Sequence, residues 1–120
     1  MRLGAIVLDS DDSESLADFY QRLLGWENYS NDGEYVYLSC DEKSLPLIFQ
    51  EDKDYRKPAW PTCHEQQQQM IHLDFYTDDL DNEVNHAIRC GAELAKTQYS
   101  DYWRVLIDPA GHPFCIVRNS

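Results

Sequence analysis

The chain has 120 residues, 42% of them hydrophobic and 27% charged, which suits a single globular domain that can stand on its own core. Ten basic against 22 acidic side chains leave a net charge of −12. That sign repels phosphate backbones and anionic lipid, so neither a nucleic acid nor a membrane surface is an expected partner.

Residues 3–8 read as a buried strand. This apolar run is too short for a secretory signal and no later run is long enough to span a membrane, so a cytoplasmic location is expected. Asp11-Asp12-Ser13-Glu14 then has the form of a capping box. Leu16, Phe19, Tyr20, Leu23 and Leu24 follow at helical spacing, and Gly25 ends the helix as a left-handed cap. Strands are predicted over 26–29, 35–40 and 46–51, with Asn31-Asp32-Gly33 as a turn.

Residues 52–69 form a charged, proline-bearing connection that ends in four glutamines and reads as a solvated linker. The element order then repeats. A strand over 71–77 leads to a helix capped by Asp78, with Leu80, Val84, Ala87 and Ile88 on one face and Gly91 at its end. Strands are predicted over 93–99, 102–107 and 113–118, the last two joined by the turn Asp108-Pro109-Ala110-Gly111-His112. The pattern predicts an α+β fold of two βαβββ modules, 3–51 and 70–118, within one domain over 1–120. Cys40, Cys63, Cys90 and Cys115 are scattered with no C-x-x-C pair, which predicts reduced thiols rather than a disulfide framework or zinc ribbon.

Three segments carry a resemblance. Residues 16–26, Leu-Ala-Asp-Phe-Tyr-Gln-Arg-Leu-Leu-Gly-Trp, are similar to the first-helix signature of the vicinal oxygen chelate superfamily, the glyoxalase/bleomycin-resistance proteins. Ile71-His72-Leu73-Asp74-Phe75 with Asp78-Asp79-Leu80 resembles its central strand and second helix start, and residues 108–117 resemble its closing hairpin. The resemblance implies sheets curled around a cleft, frequent homodimers, and a divalent metal in members that do chemistry. The metal ligands it implies fall at Ala5, Gln50, His72 and Cys115. Only His72 is a proper ligand among them, and no carboxylate is present, so no metal cofactor is expected at these positions. If one binds, His72 and Gln50 are its ligands.

Strand alternation places His72, Asp74 and Tyr76 on one face, opposite Leu73 and Phe75. The predicted ligand-binding wall is therefore His72, Gln50, Cys115 and Tyr76, with Trp60 and Trp103 at the rim of the cleft or a dimer seam. His72 reads as a neutral hydrogen-bonding group and Cys115 as a small buried hydrophobe. Arg104 can pair with an anionic ligand, His112 is expected exposed in its turn, and His86 on the outer helix face. Cys63 and His64 are adjacent, but neighbours alone make no metal site. The expected function is binding of a small organic molecule, with a degenerate metal site and no assigned catalytic residue. The alternatives are a metal-dependent lyase, isomerase or dioxygenase of the same superfamily, and a dimeric interaction module.

Overall fold

The first amphipathic segment folds as α1 (Ser13–Leu24), burying Leu16, Ala17, Phe19 and Tyr20, and Gly25 closes it at φ 68°. Its cap is Asp12, whose carboxylate accepts from the Ser15 N–H at 3.1 Å. The expected capping box does not form, because a cap at Asp12 puts Ser15 rather than Glu14 three residues on. Glu14 instead accepts from the Asn31 side-chain amide at 3.0 Å. In the second helix, α2 (Leu80–Cys90), the cap is Asp79 and not Asp78. Asp78 accepts from the Asn119 amide at 2.8 Å, which ties the helix entry to the end of the chain. Ile88, expected inward, is 43% exposed; Cys90 takes the buried position.

The computed structural model describes residues 1–61 and 64–120. It divides into two units, Met1–Tyr55 and Arg56–Ser120, and each holds one βαβββ module. The first contains β1 (Ile6–Ser10), α1, β2 (Asn28–Asn31), β3 (Tyr35–Ser39) and β4 (Leu47–Glu51), in sheet order β1-β4-β3-β2. The second contains β5 (Leu73–Thr77), α2, β6 (Glu93–Leu94), β7 (Trp103–Ile107) and β8 (Pro113–Arg118), in sheet order β5-β8-β7-β6. The first and last strands of each module pair parallel and the rest antiparallel. The α+β class and the paired modules are those the sequence predicts. Among the described residues, no helix is long and apolar enough to cross a membrane.

Each sheet has two unlike faces. In the first module Val36, Leu38, Leu47 and Phe49 are buried on the side that carries α1, with Tyr20 stacked on Phe49 at 5.7 Å. In the second, Leu106, Phe114 and Ile116 are buried, α2 packs on β8, and Phe75 meets Phe114 edge-on at 5.8 Å.

Four strand expectations shift. β2 runs over Asn28–Asn31 rather than 26–29, so Asn31 ends the strand instead of opening the turn. β1 starts at Ile6 rather than Leu3, which is exposed; Val7 is 49% exposed because only Leu8 and Ser10 face the core. β5 starts at Leu73, leaving His72 just ahead of the ladder. β6 is two residues long, where the pattern predicts seven over 93–99. There the Gln98 side chain takes the place of a strand: its amide donates to the Ala95 and Val105 carbonyls, both at 2.8 Å, and its oxygen accepts from the Val105 N–H at 2.9 Å.

The connection also holds position. The Ala59 N–H donates to the Gln67 carbonyl at 2.6 Å, and Ala59 bridges Gln68. Lys57 lies so close to the 108–112 turn that a Cβ on Gly111 would meet its own Cβ at 2.6 Å. Gly111 also sits at φ +98°, a conformation that side chains oppose, so both requirements fall on one glycine.

Candidate functional site

Register builds the site in the second module. Parallel pairing of β5 with β8 sets Asp74 opposite Cys115, and antiparallel pairing of β7 with β8 sets Val105 opposite Cys115. Cys115, Val105 and Ala95 form a small buried cluster on this face, with Trp60, Trp103, Ile107 and Val117 packed against it. Trp60, expected at a rim, thus forms part of the wall, and its Nε1 is buried without a partner among the described residues. Tyr99 stacks on Trp103 at 5.9 Å and meets Trp60 edge-on at 6.4 Å. Tyr76 lies two residues beyond Asp74 on the same face and is 68% exposed.

At the open margin of this wall two donor groups stand beside the buried thiol. His72 Nε2 lies 3.3 Å from Asp74 Oδ1, with the two side chains 45% and 42% exposed. The ligand atoms of His72, Asp74 and Cys115 all fall within 4.8 Å of one another. Burial, followed by the charge of Asp74 and its hydrogen bond with the thiol, pushes Cys115 up to about 11. The thiol is therefore protonated near neutral pH, which agrees with the buried-hydrophobe reading and not with a nucleophile.

That thiol makes stability depend on alkaline pH. The folded protein keeps the proton to about 11, whereas an unperturbed thiol releases it near 9.0. Unfolding therefore becomes easier as pH rises through that window, by up to ~1.4 kcal/mol per unit. In chelator-treated protein, urea titrations should show wild type losing stability relative to Cys115→Ala between those two values. Parallel pH profiles would contradict this.

The first module offers a different surface. On the sheet face opposite α1, Val7, Ser30, Asp32, Tyr35, Tyr37, Ile48 and Gln50 line a hollow of about 450 Å³. The ladder accounts for the grouping, since Tyr35 pairs with Gln50, and Tyr37 with Ile48 and Ser30. Asp32 sits at the turn, where the N–H groups of Tyr35 and Glu34 donate to it at 2.8 and 2.9 Å and lower its pKa. The structure thus groups Gln50 with two tyrosines, and His72 with Asp74 and Cys115.

Other candidates have local roles. Arg104 donates to the Ser100 and Trp103 carbonyls and lies 3.9 Å from Asp101, so its hairpin holds it. His112 is not exposed as expected: its Nδ1 donates to the buried Asp108 carboxylate at 2.8 Å. His86 does not simply face solvent; its ring nitrogens lie 3.7 and 3.9 Å from Cys90 Sγ, one helical turn on. His64 is exposed, and Cys63 lies outside the described residues.

Asp74 is the donor that the sequence expectation omits, although strand alternation puts it on the same face as His72. What the sequence did not supply was the β5–β8 register that brings Cys115 alongside. With Asp74 included, an imidazole, a carboxylate and a thiol converge, a donor set that fits a divalent ion of the zinc type with positions left open. The residues present therefore fit the kind of ion that the superfamily resemblance implies. They would hold it, and it would act there as a Lewis acid toward a bound oxygen.

Paired βαβββ modules with one helix-covered and one working face define an α+β protein of the glyoxalase/bleomycin-resistance class. A family model, the Glyoxalase-like domain, matches residues 5–117, and the chain belongs to that family. A search of the curated proteins finds no match. Solved structures share the fold. A glyoxalase/bleomycin resistance protein/dioxygenase family enzyme from Burkholderia phytofirmans PsJN aligns over 98% of each chain at 21% identity and TM-score 0.70. The fosfomycin resistance protein FosX from Listeria monocytogenes aligns over 100% of this chain and 94% of its own, at 13% identity and TM-score 0.72. A lactoylglutathione lyase from Agrobacterium tumefaciens aligns over 98% and 93%, at 17% identity and TM-score 0.62. At such identities the likeness is one of fold.

Proposed function

We propose that the protein binds a small, flat organic molecule on the open sheet face of its first module. The observation that carries this reading is the 450 Å³ hollow, where Val7, Ile48, Tyr35 and Tyr37 supply apolar and aromatic walls and Gln50, Ser30 and Asp32 supply polar groups. Burying apolar surface contributes about 25 cal/mol per Å², and the few polar groups set orientation. An ionised Asp32 on a chain of net charge −12 favours a neutral or cationic ligand over an anion. Two of the solved relatives are named for resistance to, or action on, small organic molecules, which is consistent with such a ligand.

A thermal-shift screen of aromatic compounds, matched as cations, neutral molecules and anions, tests the reading. Cations or neutral compounds should raise the midpoint, and Tyr37→Ala and Gln50→Ala should each weaken binding by about 5-fold or more, equivalent to ~1 kcal/mol. A screen in which anions alone bind, or in which neither substitution matters, would overturn it. The reading carries with it a cytoplasmic location and a homodimer, to be checked by fractionation and light scattering.

A second reading, a metal-dependent lyase, isomerase or dioxygenase, is favoured by one observation, the convergence of His72, Asp74 and Cys115.

A further inference from the structure

We infer that His72, Asp74 and Cys115 form a three-donor site for a divalent transition-metal ion, built within the second module alone. The superfamily resemblance implies a different set, with two of its positions, Ala5 and Gln50, in the first module. Here the third donor is Asp74, from the same strand edge as His72. Backbone geometry explains the convergence: residues two apart on a strand share a face, and the parallel register puts Cys115 directly beside Asp74.

The distances suit a metal. Ligand bonds of about 2.0–2.3 Å in a tetrahedral site hold donor atoms roughly 3.3–3.8 Å apart. His72 and Asp74 already stand 3.3 Å apart, and no pair in the set exceeds 4.8 Å. His72 is free to turn toward the other two donors, because it precedes the β5 ladder and is 45% exposed.

The environment is asymmetric. Cys115 is buried among Val105, Ala95 and Trp60, whereas His72 and Asp74 reach solvent. An ion would therefore enter from the open side and keep a position there for water or a ligand oxygen. Sulfur and imidazole together select a borderline-soft ion such as Zn²⁺ or Co²⁺ over Mg²⁺ or Ca²⁺, which take oxygen donors. On binding, the Cys115 S–H bond breaks, an S–metal bond forms, and the proton leaves to solvent.

As a purely structural contact the same cluster has little value. A half-exposed His–Asp pair contributes at most about 1 kcal/mol, and it does not require a thiol at its back.

Titration of the reduced, chelator-treated full chain with Co²⁺, followed by absorption, tests the site. One ion per chain should bind and give a sulfur-to-cobalt charge-transfer band. Cys115→Ser should abolish the band, and Cys63→Ser and Cys40→Ser should retain it. His72→Ala and Asp74→Asn, both at exposed side chains, should each weaken binding by at least about 100-fold, since even outer-shell partners are worth roughly 10–100-fold. Near-ultraviolet circular dichroism of each metal-free variant confirms its fold. Gln50→Ala should leave Co²⁺ affinity unchanged, which separates this donor set from the implied one. A band that persists in Asp74→Asn at wild-type affinity, or that is lost in Gln50→Ala, would overturn the inference, as would no binding at all. Because the organic-ligand screen reads the first module, that reading and this one fail independently.

Discussion

Asp108→Ala should destabilise the protein by about 3–5 kcal/mol, because it strips three donors of their acceptor and each costs about 1–3 kcal/mol when left unpaired. The carboxylate is fully buried and accepts three hydrogen bonds within its own turn: from the N–H of Ala110 at 2.9 Å, the N–H of His112 at 3.0 Å and His112 Nδ1 at 2.8 Å. Backbone bonds close the same loop, from the Asp108 N–H to the His112 carbonyl and from the Gly111 N–H to the Asp108 carbonyl, both at 2.9 Å. Alanine would leave these three donors without their acceptor. Asp108→Asn should fall between wild type and alanine, because it keeps one acceptor oxygen and turns an amide N–H toward donors. His112→Ala should cost less, about 1–2 kcal/mol, since the backbone N–H groups of residues 110 and 112 still hold the carboxylate. Urea unfolding midpoints give the ranking directly. If Asp108→Ala costs under ~1 kcal/mol, the carboxylate does not anchor the turn. The turn joins β7 to β8 and so governs where β8 presents Cys115. Loosening it should weaken Co²⁺ binding as well.

Periodicity made the helices legible, because the apolar stripes of α1 and α2 and the glycines that end them are local features. Element order followed from the same signals, and three short motifs sufficed to show the family resemblance. The misses involve a partner distant in sequence or a choice between equivalent neighbours. Asp11 or Asp12, and Asp78 or Asp79, can each cap a helix by local pattern alone, whereas the partners that Glu14 and Asp78 find, Asn31 and Asn119, are distant in sequence. The short β6 is not legible, since the Gln98 side chain takes the Ala95 carbonyl and the Val105 N–H that a longer strand would join. His112 looked like a turn residue in solvent because its spacing to Asp108 says nothing of burial. Strand alternation puts Asp74 on the right face, but its proximity to Cys115 depends on register between strands about forty residues apart.

Phe49→Ala is the second substitution with a large expected effect, about 3–5 kcal/mol, from lost transfer energy and the cavity left behind. Phe49 has no exposed surface and stacks on Tyr20. It also lies at the centre of the sheet, paired with Leu8 on one side and Val36 on the other. Phe49→Leu retains most of the volume and should cost under about 1.5 kcal/mol. The informative comparison is with the adjacent residue. Ile48 points the opposite way, is only partly buried and lines the hollow. Ile48→Ala should therefore cost at most about 1.5 kcal/mol, since its methyl groups already meet water, but should weaken the organic ligand where Phe49→Leu does not. Two neighbouring residues would then separate stability from binding, as a strand with one covered and one working face requires. Equal stability losses at Ile48 and Phe49, with no change in ligand affinity at either, would show that β4 lacks this division and would remove the basis for a ligand on the first module.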